Sequence, residues 1–294
     1  LRRTLYQWRH LPADMVVDDW LGCPLVIEDS GFGIDEQVNL IRQDEASDIA
    51  SREFTPQLDC EGDIHKVKEP GVRLDSEASQ RNYLMLAEAV GDLLPVRQVG
   101  IAHRWFAPWD ELIRWWHPQK AMVDLIERPG LVHTAMERLI QAYLARLRQW
   151  RELNVLSYTG GNHRVGSGGP GIADDLPAPG FDPLRVRTQD QWGCAAPQIF
   201  SDVSPKMHAE FALDYELRWL SQFGLNYYGC CDALHNKLHL LKRIPNLRKV
   251  SVSPWANPEK MAAGIGREVV LSYKPSPDIF AADGFDLPAA RRAL

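Results

Sequence analysis

The sequence predicts an α/β fold and, within that class, a (β/α)8 TIM barrel. Three observations lead there. Short apolar segments of strand type alternate with amphipathic helical segments and no two strands adjoin, a pattern of parallel strands joined by right-handed crossovers. The length, 294 residues, is near the roughly 250 residues typical of an eightfold barrel. The competing doubly wound sheet usually carries Gly-x-Gly-x-x-Gly directly after a strand, and no strand candidate here runs straight into such a turn. The chain reads as one domain, 1–294, with an irregular excursion over 1–70.

Taken in order, Leu1 to Trp20 is polar and bears tryptophan, with Met15 to Val17 as a short strand candidate and Pro24 to Glu28 as another. From Asp29 to Pro70 the pattern is irregular and charged, which fits an extended hairpin rather than core helices. Asp75-Ser76-Glu77 opens a helix that Gly91 stops. Val96 to His103 is a strand candidate, and Trp109 to Trp116 and Lys120 to Glu127 are helical pieces parted around Pro118. Leu131 to Leu153 has the longest apolar stripe, with Leu139, Tyr143, Leu147 and Trp150 at helical spacing. Asn154 to Tyr158 follows as a strand, then a Gly- and Pro-rich stretch to Pro183 that suits a mobile lid or binding loop. Ser204-Pro205 caps a helix reaching about Phe223. Strands Leu225 to Tyr228, Lys249 to Ser253 and Glu268 to Ser272 follow, with helices expected over Ala233 to Arg243 and after Asn257-Pro258.

Composition excludes some functions. Hydrophobic residues are 45% and charged residues 24%, with net charge −6, so a general phosphate-neutralising surface and a nucleic-acid partner are not expected. No apolar run reaches the ~20 residues that span a bilayer. The odd count of five cysteines, without framework spacing, reads as reduced thiols in a cytoplasm. Leu1 in place of Met, and the helical-looking Ala-Ala-Arg-Arg-Ala-Leu at the end, suggest a piece of a longer protein.

In a barrel the chemistry sits where strands end and helices begin. Those junctions hold His103, Trp105, Trp109, Tyr158, Asn162, His163, Trp192, Tyr228, Cys230, Cys231, Trp255 and Lys274, a wall rich in aromatics that suits a flat ligand. Cys230 and Cys231 follow Gly229 and precede Asp232, which is placed to cap the next helix. Thiols at a helix start favour the thiolate, although two buried cysteines acting as small hydrophobes fit as well. His103 and His163 fit ligand, acid–base or loop-bonding roles. Lys274 is placed either to pair with a substrate carboxylate or to sit in solvent.

The motifs Trp192-Gly193, Phe223-Gly224-Leu225, Tyr228-Gly229-Cys230-Cys231 and Val250-Ser251-Val252-Ser253-Pro254-Trp255 resemble the uroporphyrinogen decarboxylase superfamily. Within it they are most similar to the branch found in anaerobic bacteria beside corrinoid-dependent methyltransferases. The resemblance covers the chain from about Phe54 onward. It implies a (β/α)8 barrel and one of two activities. One is methyl transfer to or from a corrinoid (cobalamin), free or on a corrinoid protein. The other is decarboxylation of a porphyrinogen. A corrinoid- or tetrapyrrole-binding protein without turnover is a third possibility.

Family methyltransferases bind zinc with His-x-Cys after one strand and a further Cys near the last. Cys230 matches the first cysteine, Tyr228 stands in place of the His, and no cysteine follows Cys231. Cys231 and His235 are the nearest substitutes as metal ligands. The resemblance points to Cys230 and Tyr228 as catalytic residues, and the junction positions add His163 and His103. Trp105, Tyr158, Asn162, Trp192, Trp255 and Lys274 would bind a small-molecule substrate. The oligomeric state stays open.

Overall fold

A computed structural model describes residues 1–11, 15–42, 50–158, 163–281 and 284–293. Helix α1 (Arg2–His10) opens the chain, and β1 (Leu21–Pro24), β2 (Val26–Asp29), β3 (Val38–Ile41), β4 (Ser51–Phe54) and β5 (Val72–Asp75) follow. Four helices follow: α2 (Ser76–Val90) before β6 (Val96–Val99), and α3 (Pro108–Trp116), α4 (Pro118–Glu127) and α5 (Pro129–Glu152) after it. The C-terminal half carries β7 (Trp192–Ala195), β8 (Leu225–Tyr228), β9 (Leu247–Val252) and β10 (Val270–Tyr273). Between β7 and β8 runs one broken helix: α6 (Pro205–His208), a π segment (Ala209–Leu213) and α7 (Asp214–Leu220).

The chain is a mixed α/β protein. Strands β7, β8, β9 and β10 form a four-stranded parallel sheet in chain order, each step made by a helical crossover as the alternating pattern requires. β1 and β6 pair in parallel, and past β6 a single parallel bridge joins Ile101 to Leu156. The strand expected over Asn154 to Tyr158 is thus reduced to one bridge. The antiparallel pair β3–β4 lies between Asp29 and Pro70, where an extended hairpin was expected, and the antiparallel pair β2–β5 brackets that stretch.

Several helix ends follow directly from the residues. The Asp75 carboxylate accepts the Ala78 N–H, Ser204 that of Met207 and Asn257 that of Lys260 at α9 (Pro258–Ile265), each satisfying a donor that the first helical turn leaves free. Three expectations are corrected. Residues 2–10 are helical with no buried residue, so no apolar stripe announced the helix. Met15 to Val17 form no strand. The helix expected from Ala233 is a three-residue 3₁₀ turn (Leu234–Asn236), followed by the four-residue α8 (Leu238–Leu241).

The parallel sheet has two unlike faces, because side chains alternate along a strand. Ala195, Tyr228, Val250 and Val252 belong to the large apolar core shared with α5 and α7. On the other face, Trp192, Cys194, Leu225 and Tyr227 form a smaller cluster with Val165 and Leu176. By the same alternation, Lys249 and Ser251 share that second face. It is buried yet carries polar heads, and the site is found there.

Candidate active site

The glycine-rich stretch is anchored at its described end rather than hanging free. Val165 is fully buried, the Gly166 N–H donates to His103 Nε2 (2.8 Å), and Trp192 Nε1–H donates to the Gly171 carbonyl (2.8 Å). Lys249 Nζ donates to Pro170 O (2.6 Å) and Ser272 Oγ to Gly168 O (3.2 Å). Gly166 has φ +54°, and a Cβ there would lie 2.8 Å from both Trp105 and Tyr227; one at Gly168 would lie 2.5 Å from Tyr227. Only glycine lets backbone lie this flat on two rings. The loop is therefore seated on the inner face of the sheet.

Lys274, just past β10, is the centre of the polar group beneath it. Its ammonium donates to Ser251 Oγ (2.7 Å), Ser167 Oγ (2.8 Å), Tyr227 Oη (2.9 Å) and, at 3.3 Å, Cys230 O. Ser251 Oγ–H in turn donates to the Cys230 carbonyl (2.6 Å). Burial lowers the pKa of Lys274, while Cys230, Cys231 and Asp232 pull it back up. Tyr227 is pushed up to about 12 by burial, so it remains a phenol.

At the end of β8, Gly229 takes φ +92°, a turn that L-residues rarely adopt. It brings the Cys230 and Cys231 sulfurs within 3.6 Å of each other, where an extended strand would send them to opposite sides. Asp232 caps no helix. Its Oδ2 instead accepts the Cys230 N–H (3.3 Å), and the Ser253 hydroxyl donates to its carbonyl (2.9 Å). The helix-dipole argument for a thiolate therefore fails here, since the next element is a single 3₁₀ turn. The Cys231 thiol is raised by burial and then by its neighbour Cys230, against a lowering by Lys274. From Cys231 contacts continue to Gln198 Oε1 (3.7 Å), and Gln198 Nε2 donates to Asp110 Oδ2 (3.0 Å).

His103 is mostly buried and pushed down to about 4 by that burial. Its Nε2 accepts from Gly166, so the neutral ring carries its proton on Nδ1, directed at Trp192 O (3.2 Å). Cys194 Sγ lies 3.5 Å from the same Nε2, and burial pushes this thiol up to about 12. The His163 ring is 6.3 Å from His103 and is also lowered by burial. A cavity of about 560 Å³ opens beside His103, Arg104, Trp105 and Asp110.

The structure thus gathers His103, His163, Trp105, Trp192, Lys274 and Cys230 around one loop. Tyr158 sits at its edge, with its hydroxyl donating to Leu176 O (2.9 Å). Asn162 lies outside the described residues. Two others face elsewhere. Tyr228 points into the helix layer, where His208 Nε2 (2.7 Å) and Glu216 Oε2 (2.7 Å) hold its hydroxyl. His235 Nδ1 accepts the Asn257 N–H (3.2 Å). Trp255 is 71% exposed. The residues missed from sequence are Tyr227, Ser167, Ser251, Lys249 and Gln198. Tyr227 joins the Trp192–Cys194 face through the strand register, which pairs Cys194 with Tyr227.

Among the described residues no three or more His, Cys, Asp or Glu side chains come together as a metal-holding group. The two thiols supply a pair, and His235 is turned to Asn257, so the donors do not fit the three or more protein ligands of a zinc centre. Among the described residues no helix is long and apolar enough to cross a membrane. No protein-family model matches this chain, and no curated protein matches it.

Proposed function

We propose that this chain is a (β/α)8-barrel enzyme of the uroporphyrinogen decarboxylase type. It transfers a methyl group to or from a corrinoid, with Cys230 as the working thiol. The observation that carries this reading is the thiol pair with sulfurs 3.6 Å apart at the end of β8, beside the Lys274 ammonium. A sulfur nucleophile must lose its proton to react. Lys274 supplies a cation 3.3 Å from the Cys230 carbonyl, and the Cys231 thiol, raised by burial and by Cys230, lies 3.6 Å from the Cys230 sulfur as a second sulfur group. The consecutive parallel order β7 to β10 and the β1–β6 pair support the barrel. Reduced thiols at a working site fit a cytoplasmic setting.

A second reading, decarboxylation of a porphyrinogen, is favoured by the cations at the same place. Lys274 lies 5.7 Å above the Tyr227 ring, Lys249 5.7 Å above Trp192, and Arg164 is close enough to lower Lys274. They offer positive charge to substrate carboxylates.

The test is protein purified without chelators and assayed two ways. Demethylation of methylcobalamin by an added thiol, followed by absorbance and lost in Cys230→Ser, is the expected result. Carbon dioxide release from a porphyrinogen, unaffected by Cys230→Ser, would replace the first reading with the second. Spectral shifts of added cobalamin with neither activity would leave a binding protein.

A further inference from the structure

A second cavity of about 650 Å³ lies away from this site. It is lined by the end of α5 (Arg148, Arg151, Glu152, Asn154) and by the segment that leads into β7 (Asp182, Arg185, Arg187, Gln189 among others). Because β7 and β8 run parallel, residues that precede β7 lie at the opposite end of the sheet from Cys230, which follows β8. Within its lining stand four arginines and two acids, a local excess of positive charge on a chain whose net charge is −6.

The arginines are not consumed by internal pairing. Arg187 is held from behind: Nε and Nη2 donate to the fully buried Asp190 carboxylate (3.1 and 2.9 Å), and Nη2 also reaches Pro179 O (3.1 Å). That fixes the guanidinium plane and leaves Nη1 without a partner among the described residues. Arg151 and Arg185 form no ion pair among the described residues. Arg148 has a 3.8 Å contact with Glu152, both about two-thirds exposed, a pairing that water screens to little value. Asn154 is tied back to Leu184 O (2.8 Å), joining the helix end to the loop. One rigid guanidinium flanked by two unpaired ones and a third in a weak, screened pair is an arrangement for oxygen anions, since the planar fork bonds phosphate or carboxylate through two N–H groups.

We infer that this cleft binds a small molecule bearing two or more oxyanion groups, phosphate or carboxylate, independently of the chemistry at Cys230. The cleft exceeds a single inorganic anion in size, so the ligand has a body as well as charged ends. The test is calorimetric titration of the full chain with inorganic pyrophosphate and, separately, with citrate, at constant ionic strength set by sodium chloride. Saturable one-to-one binding of either is expected, weakened at least tenfold in Arg151→Ala/Arg185→Ala. Those side chains are exposed and unpaired, so the fold should survive, as circular dichroism would show. Preference for pyrophosphate names a phosphate ligand, and preference for citrate a carboxylate one. No binding of either anion beyond the chloride control overturns the proposal, as does equal binding by the double variant.

Discussion

Tyr227 and Tyr228 are neighbours on one strand, and both are buried, yet they head two unlike polar networks. On the inner face the Tyr227 hydroxyl shares Lys274 with two serines and a carbonyl, each of which has alternatives if one partner is lost. On the helix face the Tyr228 hydroxyl is a single link in a line. Lys237 Nζ–H donates to His208 Nδ1 (3.0 Å), His208 Nε2–H to Tyr228, and Tyr228 O–H to Glu216 Oε2. Every proton in that line points the same way, and Glu216 Oε1 at its end has no partner among the described residues. The difference teaches which network can work and which must hold still. Redundant bonding beside a loop and two thiols tolerates the shifts that chemistry needs, whereas a buried line without spare partners fixes the strand end that carries Gly229 and the cysteines.

The largest effect that would sharpen this contrast is a pH slope. Burial raises Glu216 from 4.5 to about 8. Between those values the folded protein keeps a proton that the unfolded chain releases, so stability falls as pH rises. Relative to Glu216→Gln, which cannot titrate, the wild type should lose about 1.4 kcal/mol per pH unit across that window. Urea melts of both proteins at pH 5, 6, 7 and 8 would show it, and parallel curves would mean that Glu216 is ionised in the fold. Next comes a matched pair. Tyr228→Phe strands the His208 N–H and a Glu216 oxygen, at about 1–3 kcal/mol for each buried group. Tyr227→Phe should cost under about 1 kcal/mol because its partners bond elsewhere. Equal urea midpoints for the two variants would erase the distinction drawn here.

Smaller effects test the inner face alone. Lys274→Met should slow alkylation of Cys231 by iodoacetamide at about pH 7.5, because Lys274 lowers that thiol against the raising effect of burial. A rate unchanged from wild type would remove Lys274 from the thiol's surroundings. Gly166→Ala places a methyl group against Trp105 and Tyr227 at positive φ and should cost about 1 kcal/mol. Faster hydrogen exchange confined to 163–171 would locate that cost in the seated loop, whereas loss spread through α5 would not.

Much of the C-terminal half was legible because its strands and helix caps are local. Leu225 to Tyr228 emerges at the expected bounds, and Ser204, Asn257 and Asp75 cap as their side chains require. The cysteine turn was legible in place but not in cause: a positive φ at Gly229, rather than a helix dipole, brings the thiols together. The choice of Tyr228 over Tyr227 failed because both residues suit a strand and only the neighbouring helix decides which face is which. His235 was drawn in by nearness to Cys231 in sequence, but its ring nitrogen is held by the Asn257 N–H. The Lys274 group was beyond reach of any short motif, since it joins residues 167, 227, 251 and 274.

The π segment Ala209–Leu213 has a consequence for that buried line. At about 100° per residue, positions 208 and 216 of an unbroken α-helix lie about 80° apart around the axis. A π turn accommodates roughly one extra residue, so the pair behaves as if seven positions apart and falls within about 20° of a common direction. His208 and Glu216 can then close on one hydroxyl from two turns of the same helix. The segment acts as a phase corrector: returning all its residues to α geometry would swing the pair about 80° apart and break the clamp, whereas deleting one residue on that return would keep it.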